Sequence, residues 1–333
     1  VFKNYDKLNF DFYAFSFGPE KKDKWNTKVR KYFKDFFNVS NMSDLDVSKL
    51  SRQTGIDIAV DLNGFTKNSR PGIFFHRSAP IQVNYLGYSG TMGADFIDYI
   101  FADEMTIQKN NQIKFTEKVV YLKNCYQPNM DKREISDRKF KRSEFELPDD
   151  AFIFCNFNSN YKITPDIFDV WMNILKEVPD SVFWILVSNL YAKENLQLEA
   201  KKRGVDENRI IFADKIPIQE HFKRIELADL FLDTFPCSSH TTASDTIRMG
   251  LPIITMAGES FVSRVAASIL NQVNLKELIV ENKEDYQNLA IDLANNKSKL
   301  ENIKNNLKRS LKNTSLYNSK EFTKNLEDIY TNL

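Results

Sequence analysis

The residues best suited to chemistry in this 333-residue chain fall in one stretch, Asp233 to Pro252, DTFPCSSHTTASDTIRMGLP. An apolar run, Leu230-Phe231-Leu232, reads as a strand; a turn of small and hydroxylated residues follows it; Thr241 to Met249 then reads as a short helix closed by Gly250 and Pro252. The first turn of such a helix leaves backbone N–H groups unpaired at the positive end of its dipole, beside the hydroxyls of Ser238, Ser239, Thr241 and Thr242. A phosphate or diphosphate fits there. The same hydroxyls could equally serve only to cap the helix. His240, one of three histidines in the chain, falls beside the candidate anion and favours the binding role.

Other candidates surround this one. Lys162, in NFNSNYKITPD, follows the first strand of the second half and precedes a helix start, where an ammonium neutralises phosphate as a point charge; an ordinary surface lysine is the alternative. His221 lies near a helix start after the strand RIIF, placed to stack on or hydrogen-bond a base, or simply to be a polar surface residue. Asp245 is one helical turn past Thr241 and could accept from ribose hydroxyls, or complement the helix dipole. Glu259 and Arg264 flank another loop-to-helix junction, GESFVSRVAAS. Asp44-Leu45-Asp46 precedes a helix within a charged loop and reads as capping, so no metal site is expected. Gly87, Gly90 and Gly93 are spaced GxxGxxG, which is not the dinucleotide fingerprint, and read as a cleft loop.

The elements that must position these residues come in two sets. In the first half, strands are expected over 10–17, 56–62, 79–86, 98–102 and 119–122, with a helix over 21–37 that carries Trp25, Val29, Tyr32, Phe33 and Phe36 at helical spacing. A charged stretch, 131–150, reads as the crossing between domains. Beyond it, strands (151–157, 181–187, 209–212, 230–232, 253–256) alternate with helices (165–178, 192–203, 219–227, 241–249, 261–270), the pattern of parallel βαβ units. The remainder, 281–333, reads as three polar-faced outer helices. Two Rossmann-like halves of this kind carry ligands at the carboxyl ends of their strands, where several of the candidate loops lie.

Composition narrows the function classes. Forty-six basic and forty-five acidic residues leave a net charge of +1, so no global field draws the chain to nucleic acid or a membrane. Cys125, Cys155 and Cys237 are odd in number and widely spaced, which argues against a disulfide framework or structural zinc. A cytoplasmic location is the simplest expectation, since no apolar run is long enough to span a bilayer.

Three stretches, DLNGFTKNSRPGIFFHRSAPIQVNYLGYSGTMG, CNFNSNYKITPDIFDVWMNILKEVPDSVFWIL and LADLFLDTFPCSSHTTASDTIRMGLPIITMAGESFVSRVAAS, resemble in this order the catalytic region of the protein O-linked N-acetylglucosaminyltransferase family, which includes the SPINDLY-like proteins. The resemblance implies an α/β GT-B fold of two Rossmann-like domains facing a central cleft: an acceptor-side domain over 1–135, incomplete at its start, and a nucleotide-sugar domain over 136–333. It implies an inverting glycosyltransferase, using no metal and no cofactor beyond its donor, that moves N-acetylglucosamine from UDP-GlcNAc to a Ser or Thr hydroxyl of a protein or peptide. By the same resemblance Lys162 and His240 are catalytic, the former stabilising the departing diphosphate. His240, Thr241 and Thr242 bind that diphosphate, Asp245 binds ribose, His221 lies beside uracil, and Cys237, Leu86 and Gly87 lie near the donor sugar.

Departures from the family pattern are equally definite. Ile218 stands where many relatives carry lysine, and Ser159 where many carry glutamine. The family's proposed histidine base falls before the first residue of this chain, and its tetratricopeptide repeats are absent from it. The alternatives are therefore transfer of fucose from a GDP donor, transfer of glucose, a noncatalytic nucleotide-sugar-binding relative, and a nucleotide-sugar epimerase on the same architecture.

Overall fold

Short β-branched and aromatic runs alternating with amphipathic segments produce parallel β/α structure throughout. The computed structural model describes residues 1–19, 23–187 and 189–333, which divide into two units, Val1–Asp131 with Tyr317–Leu333, and Lys132–Leu316.

The first unit begins with β1 (Tyr13–Ser16), α1 (Lys24–Arg30) and β2 (Asp35–Asn38), the two strands pairing in parallel. Here the structure corrects the helix expected over 21–37, whose start at Lys21 lies outside the described residues. Helical spacing of aromatics continues past Arg30, but Phe37 packs on Phe15 of β1 with ring centroids 5.1 Å apart, and Val39 just beyond it is fully buried. A strand partner supplied from elsewhere in the chain outweighs the local period. Next come α2 (Asp44–Thr54), β3 (Ile58–Asp61), α3 (Gly72–Phe75), β4 (Ile81–Asn84), β5 (Tyr99–Ala102) and β6 (Lys118–Tyr121), with β3 to β6 forming a parallel sheet in sequential order. Asp44 and Asp46 occupy the first turn of α2: the Ser43 hydroxyl accepts the Asp46 N–H at 3.1 Å, and Asp44 pairs with Arg70 at 2.6 Å. Ser43 is thus the cap, and the two aspartates, expected before the helix as capping residues, lie inside its first turn, where their charge suits the helix dipole.

The second unit contains β7 (Phe152–Asn156), α4 (Pro165–Glu177), β8 (Ser181–Leu186), α5 (Leu190–Lys202), β9 (Ile210–Ala213), α6 (Ile218–Ile225), β10 (Leu230–Leu232), α7 (Thr241–Arg248), β11 (Ile253–Met256), α8 (Val265–Gln272), β12 (Ile279–Val280), α9 (Lys283–Asn295) and α10 (Lys297–Ser310). The helix expected over 261–270 is interrupted: Phe261–Ser263 forms a separate 3-10 turn before α8. All strands are parallel, in the order β12-β11-β10-β7-β8-β9. The chain winds outward from β7 in one direction and from β10 in the other, which is the doubly wound Rossmann order with its switch point between those strands. Helix α4 shows how the sequence builds the layer: Thr164 caps it, Pro165 opens it, and Ile167, Trp171, Ile174 and Leu175 form a buried stripe. Trp171 meets Phe183 of β8 at 4.6 Å, and burial of each such side chain contributes about 1.5–3 kcal/mol.

The last helix, α11 (Ser319–Asn332), belongs to the first unit, whereas the sequence suggested that all the C-terminal helices join the second domain. Its Tyr330 ring packs against Phe12 and Phe101 at 6.2 and 5.9 Å, and Glu327 accepts the Asp6 N–H at 2.6 Å. The division after Asp131 also falls slightly before the expected boundary at 135. Among the described residues no helix is long and apolar enough to cross a membrane.

In the first unit the loops after β3 and β4 touch through glycines. A Cβ on Gly87 would lie 1.9 Å from the Leu62 carbonyl oxygen, and one on Gly64 would lie 2.3 Å from the Tyr88 Cβ. Leu86, just before Gly87, holds φ +72. Gly87→Ala is therefore expected to push these loops apart and to lower stability by about 1–3 kcal/mol. Urea denaturation would measure this; an unchanged midpoint would mean that the loops separate without resistance.

Candidate active site

A single buried carboxylate organises the loop that follows β10. Asp233 is fully buried, and its Oδ1 accepts the backbone N–H groups of Thr234 at 2.8 Å and Ser239 at 2.9 Å, together with the Ser239 hydroxyl. Its Oδ2 accepts from Thr255 of β11 at 2.7 Å, and its backbone carbonyl accepts from the buried Tyr286 hydroxyl at 2.8 Å. Burial pushes the Asp233 pKa up, and these donors together with the Lys162 charge oppose that rise.

Asn158 ties this loop to the one after β7. Its amide donates to Ser239 Oγ at 2.7 Å and to Thr234 Oγ1 at 3.0 Å, and its own N–H is held by Asn156 Oδ1 at 3.0 Å. Both loops leave adjacent strands at the switch point, where an open α/β sheet opens a crevice. Lys162 projects from the first loop to the second, its ammonium donating to the Ser238 carbonyl at 2.7 Å. Two sequence candidates thus meet, though neither position alone required it.

The hydroxyls of Ser238 and Ser239 do not cap α7. Ser238 Oγ donates to the Val262 carbonyl at 2.8 Å, Ser239 Oγ faces Asp233, and His240, the cap residue, makes no side-chain cap bond. These hydroxyls shape the loop and leave the first turn of α7 without a side-chain cap from His240. His240 Nε2 is buried with no partner among the described residues. Burial, and then the Lys162 charge, lower the His240 pKa to about 4, so the ring is neutral at pH 7. At pH 7 the ring therefore adds no charge to the positive potential of Lys162 and the helix end.

His221, on α6, is fixed by a partner the sequence did not reveal. Arg224 Nε donates to His221 Nδ1 at 3.0 Å; because a guanidinium can only donate, Nδ1 carries the lone pair and Nε2 carries the proton. Burial first, and Arg224 second, lower the His221 pKa to about 4. Arg224 is itself buried, donating to the Asp214 carbonyl at 2.7 Å and lying 5.6–5.9 Å from the Phe145, Phe157 and Trp184 ring centres. His221 thus offers one N–H donor of defined direction.

Asp245 lies one turn into α7, 3.4 Å from Arg133, with Thr241 exposed and Thr242 half-buried at the helix start. Cys237 is a half-buried free thiol in the same loop. Ile218 is half-exposed at the start of α6, and Arg264 is turned to the Gly258 carbonyl at 2.9 Å. Leu86 and Gly87 belong to the first unit, and their expected contact with a donor sugar rests on the resemblance alone. Among the described residues no group of three or more His, Cys, Asp or Glu is placed to hold a metal ion.

The two histidines generate a pH dependence. Each has a native pKa near 4 against an ordinary 6.5, so between those values the unfolded chain binds more protons and stability falls as pH falls. Below about pH 4 this contribution is fully lost. His221→Asn, which keeps an acceptor for Arg224, is expected to flatten the decline in urea midpoint between pH 7 and pH 4.5 relative to the parent protein. Equal slopes would show that His221 titrates normally in the fold.

Comparison with known proteins identifies the family and the fold. A profile described as glycosyl transferase family 41 matches residues 1–135 and 136–326. The chain is 36% identical over 336 residues to the probable UDP-N-acetylglucosamine–peptide N-acetylglucosaminyltransferase SEC of Arabidopsis thaliana, covering 99% of this chain and 34% of that protein. It is 29% identical to the SPINDLY protein of Petunia hybrida, which carries the same transferase description, over 94% of this chain and 34% of that protein. It therefore spans about a third of the length of these relatives. The solved structure of a Thermobaculum terrenum O-GlcNAc transferase mutant superposes with a TM-score of 0.89 at 26% identity, covering 99% of this chain and 62% of that one. The fold is GT-B, and the chain belongs to glycosyl transferase family 41.

Proposed function

We propose that this protein is an inverting, metal-independent glycosyltransferase that moves N-acetylglucosamine from UDP-GlcNAc to a serine or threonine hydroxyl of a protein or peptide in the cytoplasm. The observation that carries the proposal is the convergence of the Lys162 ammonium with the loop that opens α7, at the switch point of a doubly wound sheet. The names of the Arabidopsis and Petunia relatives support the choice of donor and acceptor.

In the proposed reaction the acceptor oxygen bonds to the anomeric carbon from the face opposite the diphosphate. The carbon–oxygen bond to the β-phosphate breaks, its electron pair leaves with the diphosphate, and the acceptor's proton passes to solvent water. Negative charge grows on the departing oxygen as this happens. Lys162 exchanges the neutral Ser238 carbonyl for that anion, and the α7 N–H groups with the Thr241 and Thr242 hydroxyls take the remaining phosphate oxygens. Both interactions strengthen in the transition state, which is what accelerates the step. This pairing of ammonium and helix end supplies the positive charge that a divalent cation supplies in other diphosphate chemistry. His240 Nε2 adds a hydrogen-bonding atom at the helix cap, His221 Nε2–H meets a carbonyl of the base, and Cys237 lies near sugar and phosphate.

Incubation with UDP-GlcNAc and an acceptor peptide is expected to raise the peptide mass by one N-acetylhexosamine, and UDP, not GDP, is expected to raise the melting temperature. Lys162→Ala should lower turnover by about 10²–10³ while UDP affinity falls much less. Stabilisation by GDP alone would overturn the donor assignment. Equal losses in turnover and affinity would remove Lys162 from the leaving-group role.

A further inference from the structure

We propose that Arg133 is a positioning residue for ribose recognition: it holds the Asp245 carboxylate by one oxygen and leaves the other to accept from the hydroxyls of a nucleoside sugar. The inference rests on the nucleotide reading above and assigns a specificity role to a residue outside every motif of the sequence.

Residues 133–136, at the start of the second unit, run along α6. The Ser136 N–H is held by the Gln219 carbonyl at 3.1 Å, the Gln219 amide donates to Glu134 at 3.3 Å, and the Arg133 guanidinium lies 5.5 Å from the centre of the Phe222 ring. From this support Arg133 reaches across to α7, its terminal nitrogen 3.4 Å from Asp245 Oδ1. The segment therefore bridges the helix that carries His221 and the helix that carries Asp245. The contact is long and single-pronged, unlike the bidentate geometry that would saturate both carboxylate oxygens. Asp245 Oδ2 accepts no hydrogen bond among the described residues.

The chemistry of this arrangement suits a diol. A carboxylate with one anchored oxygen and one open oxygen accepts O–H donors, whereas it would repel an anion. The order along the site is also that of a nucleotide: phosphate at the start of α7, ribose one turn on, about 5.4 Å along the helix axis, and base toward α6. Arg133 serves the acceptor state as well as its direction. The Asp245 side chain is 13% exposed, and this burial favours its protonated form; Arg133 and then Arg248 oppose that tendency. A protonated carboxyl would present a donor where the ribose needs an acceptor.

The test compares UDP with 2′,3′-dideoxy-UDP by calorimetry on the full chain, using the parent protein, Arg133→Gln and Arg133→Lys. The parent is expected to favour UDP by about tenfold or more. R133Q should lose most of that preference, binding UDP about tenfold more weakly and the dideoxy ligand almost unchanged, and R133K, which keeps the charge, should retain part of it. Should R133Q fail to fold, R133K decides: a reduced but clear preference supports the role, and an equal loss for both ligands overturns it. Equal weakening in R133Q likewise assigns Arg133 a purely structural part and overturns the inference while leaving the nucleotide reading intact. A parent protein that does not bind UDP removes that reading itself, and one that binds the two ligands equally removes Asp245 as the ribose acceptor; either result takes the inference with it.

Discussion

The candidate site of this protein depends on keeping one carboxylate, Asp233, fully buried at the carboxyl end of a central strand. An unpartnered charge in that position would be strongly destabilising, so the fold must surround it with donors. It does so with groups from three places: the loop that follows Asp233, strand β11 through Thr255, and the loop after β7 through Asn158. Each bond that satisfies the carboxylate also fixes backbone. The demand for hydrogen bonds thereby becomes a rigid turn, and the turn sets where α7 begins and which way its first N–H groups point.

Around this rigid turn the electrostatics are arranged in advance of any ligand. Two imidazoles are kept neutral by burial and by neighbouring cations, while Lys162 and the helix end concentrate positive potential at the switch point. In a partly desolvated crevice such charges act through a lower dielectric than water and need little reorganisation. The Lys162 ammonium rests on a backbone carbonyl, a neutral acceptor weaker than an anionic one. Arg224 plays a comparable part at a distance: enclosed by aromatic rings, it dictates which nitrogen of His221 carries the proton.

Much of this was legible in the chain. The alternation of apolar runs and amphipathic stretches in the second half announced parallel βαβ units, because their periods differ and their boundaries carry Thr-Pro, Gly and Pro. Lys162, His240 to Thr242 and Asp245 could be selected because each sits where a strand ends or a helix begins, and in an α/β fold those places are the ligand side. What escaped was set by contacts between residues far apart in sequence. Phe36 continues the helical spacing of Trp25, Val29, Tyr32 and Phe33 and still joins β2 with Phe37, since β1 offers them a parallel partner. Helix α11 has the composition of its predecessors, yet Tyr330 finds its ring partners more than two hundred residues upstream. Arg133 belongs to a stretch so charged that no single residue in it stands out.

The sequence by itself determined the class of fold, the places where strands end and helices begin and the residue types available there, because periodicity, turn chemistry and helix capping are local properties of the chain. Tertiary structure alone decided what those residues do. It turned the Ser238 and Ser239 hydroxyls away from capping and toward Val262 and Asp233, brought Lys162 onto the Ser238 carbonyl, gave His221 its proton on Nε2, and set Arg133 against Asp245. Each of these outcomes depends on burial and on a partner 3 to 112 positions away. The free energy of a polar group follows from the groups it meets after the chain has folded, and its sequence neighbours only partly constrain that choice.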